Sequence, residues 1–193
     1  MLSAIRLSFA GLALAALSAC AVGGVTQPAY VGTFNPQTLS YIAGKGPLYI
    51  EIVGNPFPAS DEEVGRAITS TMVGAHFGPE IQFTTERDAT NPSPYRVVMV
   101  LNPGRGVNPN SMCRNSPQPV DSTTGPSAGP TAGPLRVTAA LCAGKYRETS
   151  LSGSIAAVNS PDDAAFRALI RQMTAELFPP RNPNLMDPND FQT

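Results

Sequence analysis

The residues able to do chemistry are few, and most have a structural reading. His76 is the only histidine in the chain. It falls near the end of an expected helix, where a cation suits the dipole. As a general base it would need a nucleophile and an orienting carboxylate that spacing alone does not supply, so it reads as a structural or solvent-facing side chain. Asp61, Glu62 and Glu63 form an acidic cluster. With Ser60 in front they read as a capping box, in which Ser60 accepts from the N–H of Glu63 and Glu63 returns the bond. Asp187, Asn189 and Asp190 offer oxygen ligands but lack the glycine and distal glutamate of a calcium loop. Ser127 lies in a GPSAGPTAGP stretch with none of the flanking pattern of a nucleophile elbow. No Walker A, dinucleotide-binding or HExxH pattern is present. The expectation is therefore no cofactor, no metal site and no catalytic residue: a non-enzymatic protein. Arg105, Arg114, Arg136 and Arg147 could meet acidic groups or phosphate on a partner, but read as ordinary surface charge.

The three cysteines are the more informative set. Cys20 closes a leader, MLSAIRLSFAGLALAALSAC. Arg6 and the terminal amine give it a positive start. Leu7 to Leu17 is apolar, yet too short to cross a bilayer, which takes about 20 helical residues. Leu17-Ser18-Ala19-Cys20 resembles the lipobox of bacterial lipoproteins. That resemblance implies a signal peptide over residues 1–19, cleavage before Cys20, and acylation of Cys20 through both its thioether sulfur and its new amine. Ala21, in place of Asp, implies transfer to the periplasmic face of the outer membrane. The competing reading is cleavage after Ala21 and release of a secreted protein. Each buried methylene contributes about 0.8 kcal/mol, so two or three chains hold permanently where one holds marginally.

Assigning Cys20 to lipid leaves Cys113 and Cys142. In an oxidising envelope an even pair reads as a disulfide. Neither lies in a CxxC, and a two-cysteine metal site lacks partners.

Composition narrows the partners. Charged residues are only 14% of the chain, with 13 Lys plus Arg against 14 Asp plus Glu, a formal charge of −1. Loss of Arg6 with the leader makes this −2. No basic stripe exists for nucleic acid or for polybasic attraction to lipid. Hydrophobic residues at 42% support one packed domain, and 20 Pro with 17 Gly imply long uncharged connections.

The elements follow from periodicity. Residues 20–47 read as a lipidated N-terminus and flexible tether, with partial docking of its aromatics. A single domain is expected over 48–178. Leu48–Val53 alternates as a strand. Val64, Ala67, Ile68, Thr71, Met72 and Ala75 recur at helical spacing, with Gly78-Pro79 as the stop. Ile81–Thr85 is a short strand, and Tyr95–Leu101 a strand buried on both faces. Residues 102–134 hold seven Pro and five Gly. They read as an insertion, because the flanking pieces of 54 and 44 residues are each small for an independent domain. Leu135–Ala143 and Arg147–Val158 are further strands, the latter more polar and a candidate sheet edge. A last helix is expected from Ser160-Pro161, with Phe166, Leu169, Ile170, Met173 and Leu177 as its apolar stripe. Residues 179–193 read as a mobile tail.

The expected fold is an α+β two-layer sandwich, about five strands in a mixed sheet with two helices on one face. In element order alone it resembles penicillin-binding-protein activators and TolB-type amino-terminal domains. The function expected is a membrane-anchored protein-binding or assembly factor with an envelope protein partner. The alternatives are a small-molecule or lipid carrier and an unrecognised hydrolase.

Overall fold

The computed structural model describes residues 24–26, 28–30, 34–91, 93–104, 107–115 and 133–182. Cys20, the leader, Ser127 with most of the insertion, Arg105 and Asp187–Asp190 lie outside the described residues.

The fold is α+β, with one mixed sheet and four helices among the described residues. In chain order the elements are β1 (Gly24–Val25), β2 (Ala29–Tyr30), α1 (Thr38–Ala43), β3 (Leu48–Val53), α2 (Asp61–Met72), β4 (Phe83–Thr84), β5 (Tyr95–Leu101), α3 (Pro109–Met112), β6 (Leu135–Ala143), β7 (Tyr146–Ile155) and α4 (Ala164–Leu177). The sheet runs β1-β7-β6-β5-β3-β4, with β2 also on β7. β3 is parallel to both β4 and β5, and the remaining pairs are antiparallel. The β6–β7 hairpin turns on Gly144-Lys145, where Gly144 takes the left-handed conformation (φ 57°) that a tight turn needs.

Strand parity divides the apolar residues between two faces. On one face Leu48, Ile50, Val97, Met99, Leu101, Val137, Ala139 and Leu141 form a continuous core with the stripes of α2 and α4. Phe57, Phe166 and Phe178 fill its centre, none of them exposed. Gly153 lets α4 approach: a Cβ there would lie 2.7 Å from Leu169 Cδ1 and 3.2 Å from Met173 Sδ. The opposite face carries a smaller cluster: Val98, Val100, Ala140 and Cys142, covered by Met112 and Cys113 of the insertion. The described part of the insertion is thus a cover for the second face of the sheet, which explains why β5 is apolar on both sides.

The structure differs from the sequence expectation at four boundaries. The expected tether is largely domain. β1 and β2 pair with β7, Phe34, Leu39 and Ile42 are buried in the main core, and Asn182 Nδ2 donates to Phe34 O at 2.8 Å. That last bond also docks the start of the expected tail. β7 is consequently interior to the sheet and not an edge, because the N-terminal strands satisfy its outer N–H and C=O groups. α2 ends at Met72, before Gly78-Pro79. Gly74 at φ 69° turns the chain there, and Ala75 and His76 fall outside the helix. α4 begins at Ala164 with Asp163 as its cap, accepting from Ala165 N at 2.8 Å, while Ser160 and Pro161 make the preceding turn. The Ser60–Glu63 capping box forms as read, Glu63 N donating to Ser60 Oγ at 3.2 Å and Ser60 N to Glu63 Oε2 at 2.8 Å.

Candidate functional site

Two features organise the polar chemistry of the domain: the disulfide with its surroundings, and a cleft at one end of the sheet. Cys113 and Cys142 are bonded across 29 residues, with Cα atoms 5.5 Å apart. Both are buried. The bond ties the insertion to the sheet's second face near the hairpin end of β6. Cys142 sits at a β-bulge, where β6 and β7 slip register between Leu141↔Thr149 and Cys142↔Arg147. The extra residue, Glu148, is partly buried, and burial pushes its carboxyl above the ordinary range.

Next to the disulfide, Arg96 joins three parts of the fold. Its Nε lies 3.5 Å from Glu51 Oε2 on β3, one Nη donates to Gly144 O at 2.7 Å, and the other donates to Cys113 O at 2.8 Å. Guanidinium geometry supports this fan of donors, which an ammonium on a flexible stem would not hold together. Arg96 is thus a structural clamp between sheet, hairpin and insertion.

Arg96 also forms the floor of a cleft of about 660 Å³ at the start of β3 and β5. Tyr49 and Tyr95 wall it from the two faces of the sheet, and Gly144 closes one side. The loop after β4 supplies Glu86, Arg87, Asp88 and Asn91. Arg87 lies over the Tyr49 ring at 5.7 Å. Tyr95 meets Tyr41 edge-on at 6.0 Å, and Lys45 covers Tyr41 at 5.1 Å. The loop is ordered by short-range bonds: Asp88 Oδ1 accepts from Thr90 N at 2.8 Å and from Thr90 Oγ1 at 2.6 Å, and Asn91 Nδ2 donates to Lys45 O at 3.1 Å. The Thr90 bonds hold the Asp88 carboxyl below its ordinary range. Arg87, by contrast, is exposed. The cleft therefore offers two aromatic faces, one available cation and carboxylates of opposite sign. That suits noncovalent recognition of a polar group.

The other sequence candidates are placed as follows. His76 Nε2 lies 3.0 Å from Pro79 O, and its ring packs against Phe83 and Phe178. Nδ1 is buried with no hydrogen-bond partner among the described residues. His76 does not line the cleft, and among the described residues no hydroxyl or thiol is bonded to it. Asp61 accepts from Asn55 Nδ2 at 2.8 Å, and Glu62 pairs weakly with Arg66 at 3.5 Å on an exposed surface. Arg147 donates to Ser150 Oγ at 2.6 Å, Arg114 is exposed, and Arg136 lies at the far end of the sheet from the cleft. Among the described residues no three His, Cys, Asp or Glu side chains converge as a metal site requires, and no helix is long and apolar enough to cross a membrane.

Sequence reasoning missed the Arg96–Glu51 pair and the cleft around it. The signal was present in YRVVMVL and LYIEIV: a lone charge in an otherwise apolar strand must find a partner. No family model, curated protein or solved structure matches this chain.

Proposed function

We propose that this protein is a lipid-anchored envelope protein, held at the periplasmic face of the outer membrane through Cys20, that acts by binding another envelope protein and not by catalysis. The observation that carries the reading is the division of the three cysteines. Two are consumed in a buried disulfide of a kind that persists in oxidising compartments. The third stands alone in a lipobox-like sequence after an apolar leader.

The sheet-end cleft is the binding surface of this proposal. Its mixed charge, with Arg87 beside Glu86 and Asp88, suits a polypeptide segment carrying both signs, and its tyrosines supply contact area at low entropic cost. Tethering supports such a role, since confinement to one surface raises effective concentration and lets a modest contact suffice. A second reading, a carrier for a small polar molecule, draws on the cleft volume of about 660 Å³, within the range of ligand pockets.

The experiment is photocrosslinking from position 87 in cells, with intact-mass analysis of the envelope-extracted protein. The proposal expects an acylated Cys20 and crosslinks to an envelope protein that disappear with Tyr49→Ala. Turnover by the purified domain together with an absence of crosslinks would sink it, and retention of a small molecule at the cleft would favour the second reading.

A further inference from the structure

The exposed cations of the cleft end are arranged around Arg96. One of its nitrogens donates to Gly144 O and another to Cys113 O, so Lys145 and Arg114 each begin one peptide unit from an Arg96 contact. On the other side Arg96 pairs in register with Tyr49, whose ring lies under Arg87 at 5.7 Å. Arg87, Arg114 and Lys145 are exposed, and among the described residues none has a carboxylate within ion-pair distance. A guanidinium carries five N–H groups. Arg96 commits two of them to the carbonyls and turns Nε toward Glu51, which leaves two without an acceptor among the described residues.

Carboxylates are interspersed with these cations. Glu51 is paired with Arg96, Glu86 and Asp88 lie in the loop after β4, and Glu148 occupies the bulge in β7. Glu80, before β4, and Glu176, on α4, lie outside the cleft lining. A continuous anionic surface meets those carboxylates together with the cations. A ligand whose negative charges are few and spaced can meet the cations alone. The sheet sets the spacing. From Tyr49 through Arg96 to Cys142, beside the hairpin, is two strand spacings, roughly 10 Å. In an extended polypeptide the side chains of one face recur every second residue, roughly 7 Å apart. The far end of the domain has the opposite sign. β3 and β7 both run away from the cleft end, and beyond them Asp61, Glu62, Glu63, Asp162 and Asp163 stand at the starts of α2 and α4.

We infer that the partner segment bound at the cleft carries an acidic stretch, with carboxylates at alternate positions that meet Arg87, the open N–H groups of Arg96 and then Lys145, while Arg114 stands beside the path. The inference rests on the cleft being the binding surface, as proposed above, and adds the sign and spacing of what binds there. It also gives the segment a polarity. Glu86 and Asp88 accept a basic residue within the cleft, and the acidic stretch leaves across the hairpin. The asymmetry of the domain assists recognition: an acidic segment is drawn to the cleft end and turned away from the acidic helix starts, a steering effect that salt weakens.

The probe is a short fluorescent peptide alternating glutamate with serine, titrated by anisotropy against the full disulfide-bonded chain. It is expected to bind about tenfold more tightly than the same peptide with glutamine, and raised salt is expected to close that gap. Arg87→Gln and Lys145→Gln are each expected to weaken it about threefold to fivefold, the worth of one well-placed exposed ion pair. Both side chains are exposed, so neither substitution disturbs the core. Arg66→Gln, on the exposed face of α2 at the far end, is expected to change nothing. Equal affinity for the glutamine peptide, tighter binding of a lysine peptide, or an affinity that Arg87→Gln and Lys145→Gln leave unchanged overturns the acidic-segment inference. Binding of a single-stranded thymidine oligonucleotide as tightly as the glutamate peptide also overturns it, because the site then takes polyanions at large. In each of these cases the crosslink from position 87 decides the cleft reading separately. Its persistence confines the failure to the sign of the segment, and its absence removes the cleft reading as well.

Discussion

Replacing both bridged cysteines, as Cys113→Ala with Cys142→Ala, removes a cross-link whose value follows from the chain it closes. The bond spans 29 residues. The loop-closure model gives an entropy of about −12 cal/mol/K for that span, or roughly 3.6 kcal/mol at 25 °C. Both side chains are buried, so the native state also loses packing between the insertion and Val98, Val100 and Ala140. For a domain of this size, each kcal/mol moves the midpoint by about 2–4 °C, which places the expected fall in Tm near 10 °C. Urea denaturation of the oxidised protein and the double variant measures it, with the slope as a second readout: an uncross-linked denatured chain exposes more surface and raises m. Limited proteolysis is expected to cut the variant within residues 103–134 first, since α3 has lost its covalent hold. A Tm within 2 °C of the parent, in protein verified to contain the bond, would refute the account of the insertion as a pinned cover.

Three further perturbations test the packing and the clamp. Gly153→Ala forces a Cβ to within 2.7 Å of Leu169 Cδ1 and is expected to cost about 1–3 kcal/mol. Adding Leu169→Ala should recover part of that loss in a double-mutant cycle, and strict additivity would contradict the close approach of α4. Arg96→Lys is expected to destabilise by about 2–4 kcal/mol, because one ammonium cannot serve Glu51, Gly144 O and Cys113 O together; an unchanged denaturation midpoint would count against the clamp. The capping box gives a pH signature. Hydrogen bonds from Ser60, first from its backbone and then from its side chain, hold the Glu63 carboxyl below its ordinary value. A depressed carboxyl stabilises above its unfolded pKa, and that contribution is lost as pH falls through the folded value. The stability gap between the parent and Ser60→Ala should therefore be present at neutral pH and narrow in acid; a gap that widens in acid would contradict the box.

Legibility in the sequence tracked how local each signal was. The capping box at Ser60–Glu63 and the Phe166–Leu177 stripe of α4 are written within one or two helical turns, and both form. The long strands β5 and β6 announce themselves, β5 as a nearly continuous apolar run and β6 by Leu135, Val137, Ala139 and Leu141 recurring on one face. β1 and β2 are two residues each and carry no period of their own. They exist because β7 offers an unpaired edge, which is information held far along the chain, at Thr149–Ser154. For the same reason the stretch before Leu48 reads as tether, although Phe34, Leu39 and Ile42 are core. α2 stops at Met72 because Gly74 adopts a left-handed turn, and an apolar Ala75 in register concealed that break. The cleft was the least legible feature. Its walls come from the start of β3, the loop after β4, the start of β5 and the β6–β7 turn, which only the register of the sheet brings together. The Cys113–Cys142 bond was readable, since it follows from counting cysteines once one is assigned elsewhere.

That count is also the point at which the functional account is most exposed. Intact-mass analysis of protein extracted from the envelope, before and after reduction, tests it in a single sample. The account predicts a chain that begins at Cys20, carries two or three acyl chains there, and gains two hydrogens on reduction as the Cys113–Cys142 bond opens. A chain beginning elsewhere with no added lipid mass, or an oxidised pairing that includes Cys20, would contradict it.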